Sequence, residues 1–181
     1  MKSRQRGFLA LLMLVGSFSL LASCGYHLRG ADRIEMPPFL AVLQLKLEGN
    51  RMEYNPLLAD MKDALRTRTN ARIEESGDAP RLVLFDEQAD RQMLSVTEIG
   101  KVDEYLLKYE VSFRVVDKDN QVLSAPQTVK VRRDHQFNRL AVLAKEREQQ
   151  ELHREMQRDA VNQIVRRLAR LTPVNNDADK R

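Results

Sequence analysis

Two groups of side chains could do chemistry: a single thiol, Cys24, and a concentration of cations, Lys130, Arg132, Arg133, Arg139, Lys145 and Arg147. A lone thiol is a lipid attachment point or a buried, incidental thiol near an ordinary secretory signal. Grouped cations bind phosphate, arginine as a planar fork and lysine as a point charge. Lys130 and Arg132 are two apart on an alternating segment, so they share one face of a strand. Asp134, Glu146 and Glu148 lie among these cations, and ordinary surface ion pairing is the competing reading. The other reactive residue types are scattered. His27, His135 and His153 have no second ligand at metal spacing, and no CxxC, HExxH, GxSxG or phosphate-cradling glycine loop occurs. Adjacent acids such as Glu74-Glu75 and Asp86-Glu87 read as solvated pairs. The sequence therefore argues against an enzyme, a metal site and a bound cofactor. The enzymatic alternative is a periplasmic hydrolase or lipid-modifying enzyme with a site assembled from distant carboxylates.

The setting of Cys24 says which thiol chemistry applies. Lys2, Arg4 and Arg6 form a basic start, and Phe8 to Leu21 form an apolar run broken only by small residues. That run is shorter than the roughly 18 to 20 residues that span a bilayer, so residues 1–23 are expected to be a cleaved signal peptide. Leu21-Ala22-Ser23-Cys24 resembles the bacterial lipobox. The resemblance implies that Cys24 is diacylated, becomes the first mature residue and is acylated again on its amine. Covalent acyl chains on Cys24 would then be the membrane anchor, each buried methylene contributing about 0.8 kcal/mol. Gly25 follows where an aspartate would imply retention at the inner membrane, so sorting to the outer membrane is expected.

Removing residues 1–23 changes what the composition means. The whole chain has 30 Lys+Arg against 26 Asp+Glu; residues 1–23 carry three of the cations and no acid, leaving 27 against 26. The sequence pI of about 9.3 thus owes much to the leader. No aromatic-basic RNA-binding motif is present, so no nucleic-acid partner is expected. With no cysteine besides Cys24, stability must come from an ordinary core, and the 158 remaining residues are enough for one domain.

The elements that would position these residues follow from periodicity. Phe39 to Leu47 reads as a buried strand entered through Pro37-Pro38. Asn55-Pro56 reads as an N-cap and first helical position, and Leu57, Met61 and Leu65 give a helix to about Thr69 one apolar face. Arg81 to about Ser95 reads as a second strand. Tyr105, Leu107, Tyr109, Val111, Phe113 and Val115 alternate with Lys108, Glu110, Ser112 and Arg114 in a third. Asp117 to Asn120 is a turn, and Gln127 to His135 alternates again. A last helix is expected from an Asn138 cap to Leu171, with Leu152, Met156, Ala160, Ile164, Leu168 and Leu171 as its stripe. About 32 helical residues span about 48 Å, close to the roughly 46 Å of a strand of about 14 residues. The expected fold is α+β: a two-layer slab of order β-α-β-β-β-α, with a four-stranded mixed sheet and two helices on one face. The expected division is a lipidated linker over 24–37, a single domain over 38–172 and a polar tail over 173–181.

The ordered set of Gly25-Tyr26-His27-Leu28-Arg29-Gly30 after the lipobox, Lys101-Val102-Asp103-Glu104-Tyr105 before a long strand, Val142-Leu143-Ala144-Lys145-Glu146, and Met156-Gln157-Arg158-Asp159-Ala160 resembles the LptE family of LPS-assembly lipoproteins across nearly the whole mature chain. The resemblance implies a non-enzymatic outer-membrane lipoprotein, anchored by lipid and facing the periplasm and a barrel lumen. Such a protein plugs and helps assemble the LptD β-barrel and contacts lipopolysaccharide on its way to the outer leaflet. It also implies a lipopolysaccharide-binding role for Lys145. A second basic position of the family, in the loop before the long strand, falls at Glu98, a departure. Lys130, Arg132 and Arg133 join the candidate site from the charge cluster alone. The alternative partner class is a general envelope scaffold or barrel-assembly lipoprotein that binds proteins by strand addition.

Overall fold

The computed structural model describes residues 33–49, 55–96, 102–136 and 142–173. Cys24, Glu98, Arg139, the Asn138 cap, the leader, most of the 24–37 linker and the tail from Val174 lie outside the described residues.

Pro37-Pro38 do not lead directly into a strand. Pro38–Leu40 form a 3-10 turn, with the Leu40 N–H donating to the Pro37 carbonyl, so Phe39 precedes the strand instead of opening it. Strand β1 is Val42–Leu47. Helix α1, Pro56–Arg68, starts where the sequence places it: the Asn55 side chain accepts from the Leu58 N–H at 3.2 Å, and proline occupies the first position. Leu57, Met61, Ala64 and Leu65 form its buried face. Thr69 ends it, its hydroxyl donating to the Leu65 carbonyl and accepting from the Ala71 N–H. The chain then makes a strand the sequence did not announce, β2, Arg72–Ile73, followed by β3 (Arg81–Val96), β4 (Val102–Val116) and β5 (Val122–Gln136). Helix α2 is Val142–Leu168.

The sheet thus has five strands, in the order β2-β1-β3-β4-β5, where four were expected. The added strand is two residues long, too short to carry an alternation, and exists only because the chain leaving α1 runs alongside Val42 and Leu43. β1 is parallel to β2 and β3, while β3, β4 and β5 form an antiparallel meander. The four long strands and both helices match the expected α+β slab. Its 27 described residues span about 40 Å, and it ends at Leu168, before the expected Leu171, because a turn follows.

One sheet face carries the core. Leu43 of β1, Leu82 and Leu84 of β3, Leu107 to Val115 at odd positions of β4, and Val129 and Val131 of β5 pack against the α1 face and Met156, Ala160, Val161, Ile164, Val165 and Leu168 of α2. Each fully buried aliphatic side chain contributes about 1.5–3 kcal/mol. Met36 belongs to this core as well, tied down by its N–H donating to Asn70 Oδ1, and Ile34 bridges to Thr69.

Candidate functional site

The sheet sorts the candidate cations by side, because successive residues of a strand point to opposite faces. Lys130 and Arg132 project from the helix-free face of β5. Lys130 pairs with Glu110 of β4 at 2.8 Å, and Arg132 lies opposite Lys108 in register. The same face carries further paired polar groups: Arg114 binds both Glu48 oxygens and covers the Phe85 ring, Ser112 bonds Thr128, and Lys108 donates to Gln92. Arg133 points the other way and pairs with Asp159 of α2. Lys145 lies on the same helix side, in the first turns of α2, where its ammonium donates to Glu148 at 2.7 Å. The structure therefore divides the four proposed lipopolysaccharide contacts into two pairs on opposite faces. Arg147 is exposed on α2.

Around Lys145 the polar groups are tightly coupled. The Lys145 hydrogen bond, opposed by desolvation and aided by the charges of Lys145 and His135, holds the Glu148 carboxyl pKa below its ordinary value. Glu148 presents its other oxygen to His135 Nδ1 at 3.7 Å. His135 is 2% exposed on the helix side of β5, and among the described residues its Nδ1 has no hydrogen-bond partner. The sequence places His135 at the end of an alternating segment and Glu148 among the acids near the cations; packing brings His135 to the Lys145–Glu148 pair, with Glu148 one helical turn after Lys145.

A second feature was not legible. A groove of about 780 Å³ opens between β3 and α2, with Leu107 and Met156 among its apolar walls and Glu87, Arg91, His153 and Arg158 among its polar ones. It exists because β3 is kinked: the β3–β4 register shifts between Phe85 and Gln88, and Asp86 takes a left-handed φ of 52°. Such a bulge re-aims the residues after it. Glu87 turns to the helix side and accepts the Tyr109 hydroxyl at 2.7 Å. Burial, then the Glu87 hydrogen bond and the charges of Glu87 and Asp60, push the Tyr109 phenol pKa far above its ordinary range. The Tyr109 ring meets His153 edge-on at 5.5 Å. Arg91 donates to Gln149, and its guanidinium stacks over Tyr105 at 4.4 Å. In sequence the kink falls where the apolar run Leu82 to Phe85 gives way to the polar Asp86-Glu87-Gln88. Among the described residues no cluster of His, Cys, Asp and Glu could hold a metal, and no helix is long and apolar enough to cross a membrane.

The comparisons with known proteins agree with one another. The family model described as "LptE: Lipopolysaccharide-assembly" matches residues 45–168. The LPS-assembly lipoprotein LptE of Photorhabdus laumondii is 33% identical over 172 residues, 94% of this chain and 90% of that protein. Among solved structures, the rare lipoprotein B of Shewanella oneidensis is 31% identical with a TM-score of 0.61, covering 71% of this chain and 93% of its own. Lipoprotein B of Nitrosomonas europaea, solved by NMR, has a TM-score of 0.67 at 26% identity, over 80% of this chain and 90% of its own.

Proposed function

Because the chain belongs to the LptE family of lipopolysaccharide-assembly lipoproteins, we propose that it plugs and helps assemble a large outer-membrane β-barrel of the LptD type and binds lipopolysaccharide during delivery to the outer leaflet. The role is non-enzymatic, and the observation that carries it is the family match across 45–168, which spans nearly the whole slab. In this reading Cys24 bears the acyl anchor, at the outer membrane. Lys145 contacts a lipid phosphate, with Arg133 on the same side and Lys130 and Arg132 on the other. The polar, internally paired outer face of the sheet suits a lumen, because the interior of such a barrel is polar.

A second reading, an envelope scaffold that captures partners by strand addition, has one observation in its favour. Among the described residues β1 pairs β3 only as far as Leu84 and no strand pairs that edge from Phe85 to Val96, where Met93 and Leu94 are exposed. Affinity purification of the full lipoprotein from detergent-solubilised outer membranes, followed by mass spectrometry, separates the two. A stoichiometric LptD-type barrel supports the plug. Several unrelated barrels, or none, would transfer support to the scaffold.

A further inference from the structure

His135 leaves something to explain. Its ring is 2% exposed, and its Nδ1 is the buried side-chain polar atom, among the described residues, that has no hydrogen-bond partner. A polar atom buried in that way is costly and calls for an explanation. The atom facing it is Glu148 Oε1 at 3.7 Å, beyond hydrogen-bond range, while Oε2 of the same carboxylate accepts from Lys145 at 2.7 Å. One carboxylate therefore stands between a permanent cation and a group that becomes a cation by taking up a proton.

We propose that His135 and Glu148 form a proton-operated latch on Lys145, the phosphate-binding lysine of the proposed lipopolysaccharide site. With His135 neutral, Lys145 and Glu148 neutralise each other and the ammonium is held by its own helix. When Nδ1 is protonated it becomes a donor that draws Glu148 Oε1 in by rotation of an exposed side chain. The carboxylate is then shared between two cations, the cluster carries a net positive charge, and Lys145 is released toward an anionic phosphate. Among the described residues no second anion is paired with His135. From α2 it faces Glu148 and Lys145; from β4 it faces Tyr105, its partner in register, over whose ring Arg91 of β3 is stacked. On its own strand Arg133 shares its side but is engaged by Asp159, and Asp134 points to the opposite face. Imidazole is the side chain whose ordinary titration falls in the range of about pH 5 to 8. The latch thus makes lipid-phosphate binding tighten as pH falls.

The inference rests on Lys145 as a phosphate contact, and the test keeps the two claims apart. Binding of purified lipopolysaccharide to the immobilised full-length lipoprotein in detergent is measured at about pH 7.5 and about pH 5.5 for the unchanged protein, His135→Gln and Lys145→Ala. Lipid phosphates also take up protons in this range, but they do so for every variant, so the ratio between proteins is the readout. The unchanged protein should bind at least about threefold more tightly than His135→Gln at the lower pH, the lower bound for one added charge nearby under water-like screening, and equally at the higher pH. A ratio of one at both pH values overturns the latch and leaves the site standing. An unaltered affinity in Lys145→Ala overturns the site, and the latch as its regulator with it. Since His135 is buried, Glu148→Gln at an exposed position supplies a variant that keeps the fold: it removes the holding anion, so lipopolysaccharide affinity should rise at about pH 7.5, and a fall would refute the latch. Independently of any lipid, the Glu148 carboxyl carbon resonance should follow the titration of the His135 ring and lose that inflection in His135→Gln; a flat response in the unchanged protein overturns the coupling.

Discussion

Tyr109→Phe is the substitution whose effect the geometry determines most fully. The ring is completely buried in the middle of β4, edge-on to His153, and its hydroxyl donates to Glu87 at 2.7 Å. Phenylalanine keeps the packing and loses that bond. A hydrogen bond to a charged partner is worth about 1.5–3 kcal/mol, and because Glu87 is exposed and rehydrates when the phenol leaves, the lower end applies, about 1.5 kcal/mol at neutral pH. The pH dependence has the opposite sign. The Tyr109 pKa is raised in the folded protein, first by burial and next by the Glu87 hydrogen bond, so the native state keeps its proton where the unfolded chain gives it up. Stability from this group is therefore complete below the ordinary phenol value of about 10 and is lost as pH rises past it, by about 1.4 kcal/mol per pH unit. Between about pH 10 and about pH 11.5 the unchanged protein loses about 2 kcal/mol that Tyr109→Phe does not lose. The two stability curves should cross near pH 11. Urea unfolding of both proteins across this range checks it, and since every other titrating group is common to both, only their difference matters. Parallel curves with a constant gap would refute the account of Tyr109 as a buried, acceptor-bound phenol.

Two further outcomes are expected, one from the core and one from the lipobox. Ile164→Ala, at a position with no exposed area between α2 and the sheet, should destabilise the domain by about 2–5 kcal/mol through lost burial and the cavity it leaves, measured as a fall in the urea midpoint with an unchanged slope. Cys24→Ala, if Cys24 bears the acyl chains, should release the protein from the membrane fraction when no barrel partner is present, and persistent outer-membrane fractionation would count against the anchor.

What was legible in the sequence was whatever repeats. The strict alternation from Tyr105 to Val115 located β4 and its buried face, the Leu57, Met61 and Leu65 spacing located α1, and Asn55-Pro56 fixed its first turn because the cap is a local hydrogen bond. What was not legible depends on contacts between distant segments. β2 has two residues and no pattern of its own; it is a strand because Val42 and Leu43 lie beside it. Phe39, apolar and next to a strand, is drawn into a 3-10 turn by the proline before it. The bulge after Phe85 shifts the β3 side chains as far as Met93 by one face, so Glu87 and Arg91 reach the groove although period-two counting from Leu82 and Leu84 sends them away. The candidate cations were legible as a list, but their division between faces needed the pairings of Lys130 with Glu110 and Arg133 with Asp159.

That division turns the candidate list into a test. Lys145 and Arg133 stand on the helix side, Lys130 and Arg132 on the other, and a single phosphate cannot touch both through a sheet. Screening limits what the far pair can do from a distance, since the Debye length is about 8 Å at physiological salt, comparable to the thickness of a sheet with its side chains. If lipopolysaccharide is held at Lys145, Lys145→Glu removes a charge-assisted hydrogen bond worth about 1.5–3 kcal/mol, a loss of about ten- to a hundredfold in affinity. Lys130→Glu changes the net charge by the same amount on the opposite face, sets like charges against Glu110 at a cost of about 0.2–1 kcal/mol in stability, and should alter lipid affinity by no more than about twofold. Both variants belong in one binding series with circular dichroism to certify the fold. An equal loss in the two would mean that net charge alone recruits the lipid. A loss confined to Lys130→Glu would move the site to the open face, where the phosphate would compete with Glu110 for the ammonium.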